Sequence, residues 1–279
     1  MAAPLQLSLR DSDPWAVAKQ AFDLISDYVQ PDSSVSPGDI AQQLNSLTPG
    51  QRVLQDGENA EEPVSFLLEF WETLVCIARQ IPYDHPSQER MVKLMASLDE
   101  LSSQSTEAAS NGSGSIWRYF NELSNVLDDT WNEPTEMEDS FEPFQEWVNL
   151  NSFVARLFGD GLIDWDNYAC WTLRDSLEAQ DATTKDLRES RLAAATQWFT
   201  HAALALFKVM REKTATESNH MYLRSPVFSG DKVISLERWN FWKEQLQKVQ
   251  GKDTGPEQKQ IASQAVGAMD DAEARYGQG

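Results

Sequence analysis

The stretch Trp147–Glu178, WVNLNSFVARLFGDGLIDWDNYACWTLRDSLE, decides the fold class. Together with Phe144, the residues Trp147, Val148, Val154, Ala155 and Phe158 share one face at helical spacing. Gly159-Asp160-Gly161 interrupts that pattern and predicts a tight turn. Beyond it, Trp165, Ala169, Leu173 and Ser176 define the face of a second helix, while Cys170, Trp171 and Leu177 carry apolar surface to its other sides. A helix that is apolar on more than one side belongs inside a helical domain.

One polar side chain stands in the middle of this apolar face: Asn151. A buried amide without partners costs about 1–3 kcal/mol, so it must be bonded to something. Two readings follow. The amide fixes the register of neighbouring helices, or it contacts a ligand in an interior cavity, with Trp147 and Trp171 as the accompanying pocket residues.

The same periodicity extends outward in both directions. Asp13-Pro14 predicts a helix start with Asp13 as N-cap, running to Val29, and Ser36-Pro37-Gly38-Asp39 predicts a second one. Pro63 opens a helix striped by Leu67, Phe70, Trp71, Leu74, Ile77, Ala78 and Ile81, which must stop before Pro82. Asp84-His85-Pro86 starts the next, and the two are expected to form an antiparallel hairpin. After the low-complexity stretch Ser102–Ser115, a helix from Ile116 to Trp131 is expected to turn Ile116, Tyr119, Phe120, Leu123 and Leu127 inward. Thr183-Thr184 caps a long helix to Lys213 whose middle, ALALFKVM, is apolar almost all round. Ser235 caps a helix striped by Trp239, Trp242, Leu246 and Val249, and an Ala-rich helix over 261–274 ends the pattern. The tryptophans follow no fixed period, which argues against a regular solenoid.

Composition bounds the partners. There are 44 Asp and Glu against 23 Lys and Arg, a net charge of −21, so phosphate backbones and anionic membranes are repelled. Nucleic acid and membrane are therefore not expected partners. The first fifteen residues lack the basic-then-apolar pattern of a signal peptide. Two cysteines, Cys76 and Cys170, form no disulfide framework or CxxC pair, which suits a cytoplasmic or nuclear protein.

Candidate chemistry is sparse. Arg174 and Glu178 stand at i,i+4 and read as a surface pair. Asp164 and Asp166 suit a helix N-terminus without any metal. Glu217-Ser218-Asn219-His220 matches Glu-x-x-His once, where a di-iron bundle needs two copies; His85 reads as a turn residue. Between Arg118 and Arg156 there are nine acids and no base. Within that run Asp128-Asp129-Thr130-Trp131-Asn132-Glu133 resembles the Mg²⁺-diphosphate cluster of class I terpene synthases, but the second metal motif of that family is missing. No catalytic residue, no metal ligand set and no cofactor is assigned.

Taken together, ARQIPYDHPSQ (78–88), WVNLNSFVARL (147–157), YACWTLRDSLE (168–178), AATQWFTHA (194–202) and SLERWNFWKEQL (235–246) resemble a fungal family of helical proteins known only as a domain of unknown function. The resemblance runs over about residues 63 to 246 and implies an all-α fold but no activity, cofactor or site.

The expectation is an all-α irregular bundle of antiparallel helical hairpins, with about nine or ten helices. Residues 1–62 form N-terminal helices and a linker packed on the main body, 63–250 the main domain with a flexible loop at 102–115, and 251–279 an Ala-rich tail or helix. The expected function is a non-enzymatic interaction or scaffold protein with a protein partner. The alternative is a small-molecule-binding protein or enzyme with an apolar cavity among the aromatic helices.

Overall fold

A computed structural model describes residues 2–53, 61–104, 116–135, 142–179, 184–213, 215–216, 224–225, 227–230, 232–251 and 254–277. Expectations for 105–115, for Glu136, Glu138 and Asp139, for Thr183 and for Glu217-x-x-His220 fall outside the described residues. The protein is all-α, with ten α-helices among the described residues. It divides into two compact units, residues 1–132 and 133–279.

The first unit contains α1 (Ala16–Tyr28), α2 (Pro37–Asn45), α3 (Pro63–Gln80), α4 (Ser87–Gln104), a 3-10 turn (Arg118–Phe120) and α5 (Leu123–Thr130). Ser36 caps α2 as its sequence predicts, its Oγ accepting from the Asp39 N–H at 3.1 Å. Pro63 opens α3, and Pro82 ends it by holding Ile81 extended at ψ 117°. The Asp13 cap does not form. Trp15 is itself extended at ψ 146°, so the helix begins at Ala16 with Trp15 as N-cap and Asp13 lies two residues short of the cap position. Nor do α3 and α4 pair chiefly with each other: α3 lies on α1 and α5, and α4 on α2 and the 3-10 turn.

The predicted helix 116–131 is broken. Tyr119, Phe120 and Glu122 take φ of 58°, 48° and 67°, left-handed values that cost non-glycine residues about 1–3 kcal/mol each. The reversal lets Trp117 and Phe120 both reach the core, while Tyr119 turns outward, 72% exposed, beneath the Arg118 guanidinium. The core gained is an aromatic cluster. Phe70 meets Trp71 and Trp117 edge-on, each at 4.9 Å between centroids, and Phe66 and Phe120 extend it.

The second unit contains α6 (Glu142–Gly159), α7 (Asp166–Leu177), α8 (Lys185–Glu212), α9 (Leu236–Gly251) and α10 (Pro256–Tyr276). A two-stranded antiparallel pair, β1 (Ala215–Thr216) and β2 (Lys232–Ile234), joins them. Helix α8 is the spine, and α6, α7, α9 and α10 all pack on it. The turn Gly159–Gly161 forms where its sequence predicts it, with Gly161 at φ 73°. Gly159 has a second role: a Cβ there would overlap the His201 carbonyl oxygen, so its hydrogen lets α6 meet α8 backbone to backbone. The Ala-rich tail docks. Ala262, Ala265, Met269 and Ala272 form its buried face, small enough to bring α10 close to α8.

Gly159→Ala should therefore lose at least about 2 kcal/mol through overpacking at the α6–α8 contact. Gly267→Ala, in the exposed middle of α10 with no atom within 4 Å of the added Cβ, should gain about 0.5–1 kcal/mol. Urea melts of the two variants check the pair of signs.

Candidate functional site

Three polar groupings lie in the second unit. The first is built on Asn151. Its Nδ2 donates to the Trp147 carbonyl at 2.9 Å, one turn back on α6. Its Oδ1 accepts from Thr172 Oγ1 on α7 and from Trp198 Nε1 on α8, both at 2.8 Å. One fully buried amide thus ties three helices together. Trp147 is buried beside it, and Trp171 is half-buried on α7, edge-on to Tyr168 at 5.4 Å.

The second grouping was not visible in the local sequence. Glu178, at the end of α7, receives a two-pronged salt bridge from Arg238 on α9, Nε to Oε1 at 2.7 Å and Nη2 to Oε2 at 2.9 Å. Trp242 Nε1 donates to the same Oε1 at 2.5 Å, and Arg238 Nη1 donates to the Val233 carbonyl at 2.8 Å. Both charged side chains are fully buried. The expected Arg174–Glu178 surface pair does not form, because Arg174 bonds Asp175 at 2.6 and 2.9 Å and Glu178 faces inward. Local spacing named a neighbour four residues away; the real partner is 60 residues on.

The third is a surface pocket of about 750 Å³ between the end of α7, the start of α8, α9 and the start of α10. Its apolar lining includes Leu177, Leu192, Val227 and Val249. Lys185, Arg188 and Arg191 line it from successive turns of α8, and Gln245 and Gln258 add amides. Arg191 is held by Glu133 through two bonds of 2.7 Å, and Lys185 stands 3.7 Å from Glu189, which also lines the pocket. Glu178 also borders the pocket, but Asn151, Trp147 and Trp171 are not among its lining.

Reactive groups are restrained by their surroundings. Burial, with Asp166 nearby, pushes the Cys170 thiol up to about 12, so it stays protonated and is no nucleophile near neutral pH. Of the terpene-synthase-like acids, Asp128 and Asp129 are exposed, while Glu133 is engaged by Arg191. Among the described residues no three His, Cys, Asp or Glu side chains converge as a metal site would require. His201, half-buried on α8, is pushed down to about 4 by burial and by the Arg156 charge.

Removing one partner of the buried pair, by Glu178→Leu or Arg238→Met, should cost about 3–5 kcal/mol, since the other charge is stranded. The double variant should recover most of that loss in urea melts, less what Trp242 and the Val233 carbonyl forfeit. His201 gives a pH signature. Its unfolded imidazole binds a proton below pH 6.5 while the folded one stays neutral to about 4, so stability is full above 6.5 and falls as pH drops through that window. Between pH 7.5 and 5 the wild type should lose about 2 kcal/mol more than His201→Gln, measured by chemical denaturation at each pH.

Comparison with curated proteins and with solved structures returns no match. The family model described as "Protein of unknown function (DUF3632)" matches residues 71–246, more than half of the chain, and includes α4 to α8, the second half of α3 and most of α9. The chain therefore belongs to the DUF3632 family, proteins of unknown function.

Proposed function

We propose that the protein is a non-catalytic interaction protein that binds a partner at the α7–α8–α9–α10 pocket of its second unit. The observation that carries this reading is the pocket itself. It sets apolar Leu177, Leu192 and Val249 beside cationic Lys185 and Arg188 at the start of α8, where the helix dipole adds positive charge. That surface suits a partner segment pairing an apolar side chain with a carboxylate. The buried polar groups of the second unit are engaged with one another, which favours cohesion over chemistry. Two free thiols suit a reducing compartment, cytoplasmic or nuclear. A second reading, a small-molecule site, rests on the volume, which lies in the range of ligand pockets.

A fluorescein-labelled peptide alternating Leu and Glu should bind the full chain, and its Leu–Lys counterpart should not. Arg188→Glu should weaken binding by about tenfold or more with an unchanged melting temperature. Equal binding of both peptides, or indifference to Arg188→Glu, would overturn the partner reading. The small-molecule reading is tested by a thermal-shift screen of metals, nucleotides and hydrophobic metabolites. A hit that stabilises the wild type but not Leu192→Trp, which fills the pocket, would favour it.

A further inference from the structure

In the first unit, residues 2–10 run across the helices without joining any of them. From Leu5 to Arg10 exposure alternates: Leu5, Leu7 and Leu9 are half-covered, and Gln6, Ser8 and Arg10 face water. That period of two is the mark of extended chain. The segment is held by its backbone. Gln30, just after α1, takes the Leu5 N–H on Oε1 at 3.0 Å and donates Nε2 to the Leu5 carbonyl at 3.3 Å. Gln80, the last residue of α3, does the same at Ser8, with both bonds 2.9 Å. His85 Nε2 stands 3.0 Å from the Ala3 carbonyl.

The spacing is informative. In extended chain the N–H and C=O of one residue point to one edge, and those of the next residue point to the other. Residues 5 and 8 are an odd number apart, so the two glutamines clasp the segment from opposite edges. Each amide supplies one donor and one acceptor, the pair that an adjacent strand would offer. Such a clasp reads chiefly backbone, with the Ser8 hydroxyl adding a 3.2 Å bond to Gln80 Oε1. Selectivity is left chiefly to the three partly covered leucine positions.

We propose that the surface over α1, α3 and the α3–α4 turn is a docking groove for an extended Leu-x-Leu-x-Leu segment of a partner protein, and that residues 2–10 occupy it as a displaceable strap. The strap fits that role because none of its leucines is fully buried and the Gln80 bonds are open to water. Segments tied so lightly open without global unfolding. The surface lies in a different unit from the α7–α10 pocket, so the two proposals stand or fall separately.

The probe is a labelled peptide of residues 2–10, AAPLQLSLR, titrated into the full chain and into its Leu5→Ser/Leu7→Ser/Leu9→Ser variant. The variant should bind it at least tenfold more tightly than the wild type, and adding Gln80→Leu should remove the gain. A peptide with its leucines made adjacent should not bind. Equal affinity for both proteins, or no binding to either, overturns the proposal. So does a concentration-dependent dimer that needs the strap, since that places a second copy in the groove. Should the triple variant fail to fold, hydrogen exchange on the wild type decides. The Leu5 and Ser8 amides should exchange at least a hundredfold faster than the Leu74 amide of α3, and exchange at the α3 rate overturns the idea.

Discussion

An indole ring can be buried whole, but its one N–H must still find an acceptor. Trp71, Trp117, Trp198, Trp239 and Trp242 are all fully buried, and each solves this problem with a group distant in sequence. Trp71 reaches the Asn121 carbonyl, Trp117 reaches Asn45, and Trp198 reaches Asn151. Trp239 reaches Glu273, and Trp242 reaches Glu178. Apolar contact between helices tolerates sliding, because any methyl will do against any other. A hydrogen bond inside the core does not, because a slip of one residue strands a donor where water cannot replace the lost partner. The tryptophans therefore supply both the bulk of the packing and the rule that selects one packing among many.

The acceptors explain the polar groups that lie in the second unit's interior. Glu178 accepts from an indole and a guanidinium, and the guanidinium also donates to a backbone carbonyl and lies against the Phe228 and Trp242 rings. A charge pair of this kind gains little over apolar residues of equal volume, since desolvation cancels much of the attraction. Its contribution is to directional choice: α7 can end, and α9 begin, in only one mutual placement. Asn151 acts likewise among α6, α7 and α8. A carboxylate or amide so engaged is held in one orientation by groups from other helices.

What the sequence made legible follows from the same distinction. Ring burial leaves a periodic trace, so α3, the α6–α7 turn, α8 and the Trp239–Trp242–Leu246 stripe could be read directly, and Asn151 stood out as a polar residue on an apolar face. Partner choice leaves no local trace. Glu178 looked like the neighbour of Arg174, because i,i+4 is the only pairing a sequence displays. The stretch 116–131 carried helical spacing throughout, yet three left-handed residues break it. The demand of Trp117 and Phe120 to enter one aromatic cluster outweighed the strain, and that demand is tertiary. The backbone clasp on residues 2–10 was equally hidden, for a glutamine that reads peptide edges looks like any other polar residue at a helix end.

The net charge and the pocket pull in opposite directions, and range decides between them. At −21 the chain repels an acidic partner at a distance, which slows encounter. In physiological salt that field decays over about 8 Å, whereas contact within the pocket is made at hydrogen-bond distance. In the complex we propose, Lys185 and Arg188 at the start of α8 would therefore govern the bound state, while the surrounding carboxylates would govern the approach to it. The groove proposed under the strap would escape this opposition. Recognition there would rest on neutral amides and leucine side chains, so charge on either partner would affect how often the two meet and not the fit itself.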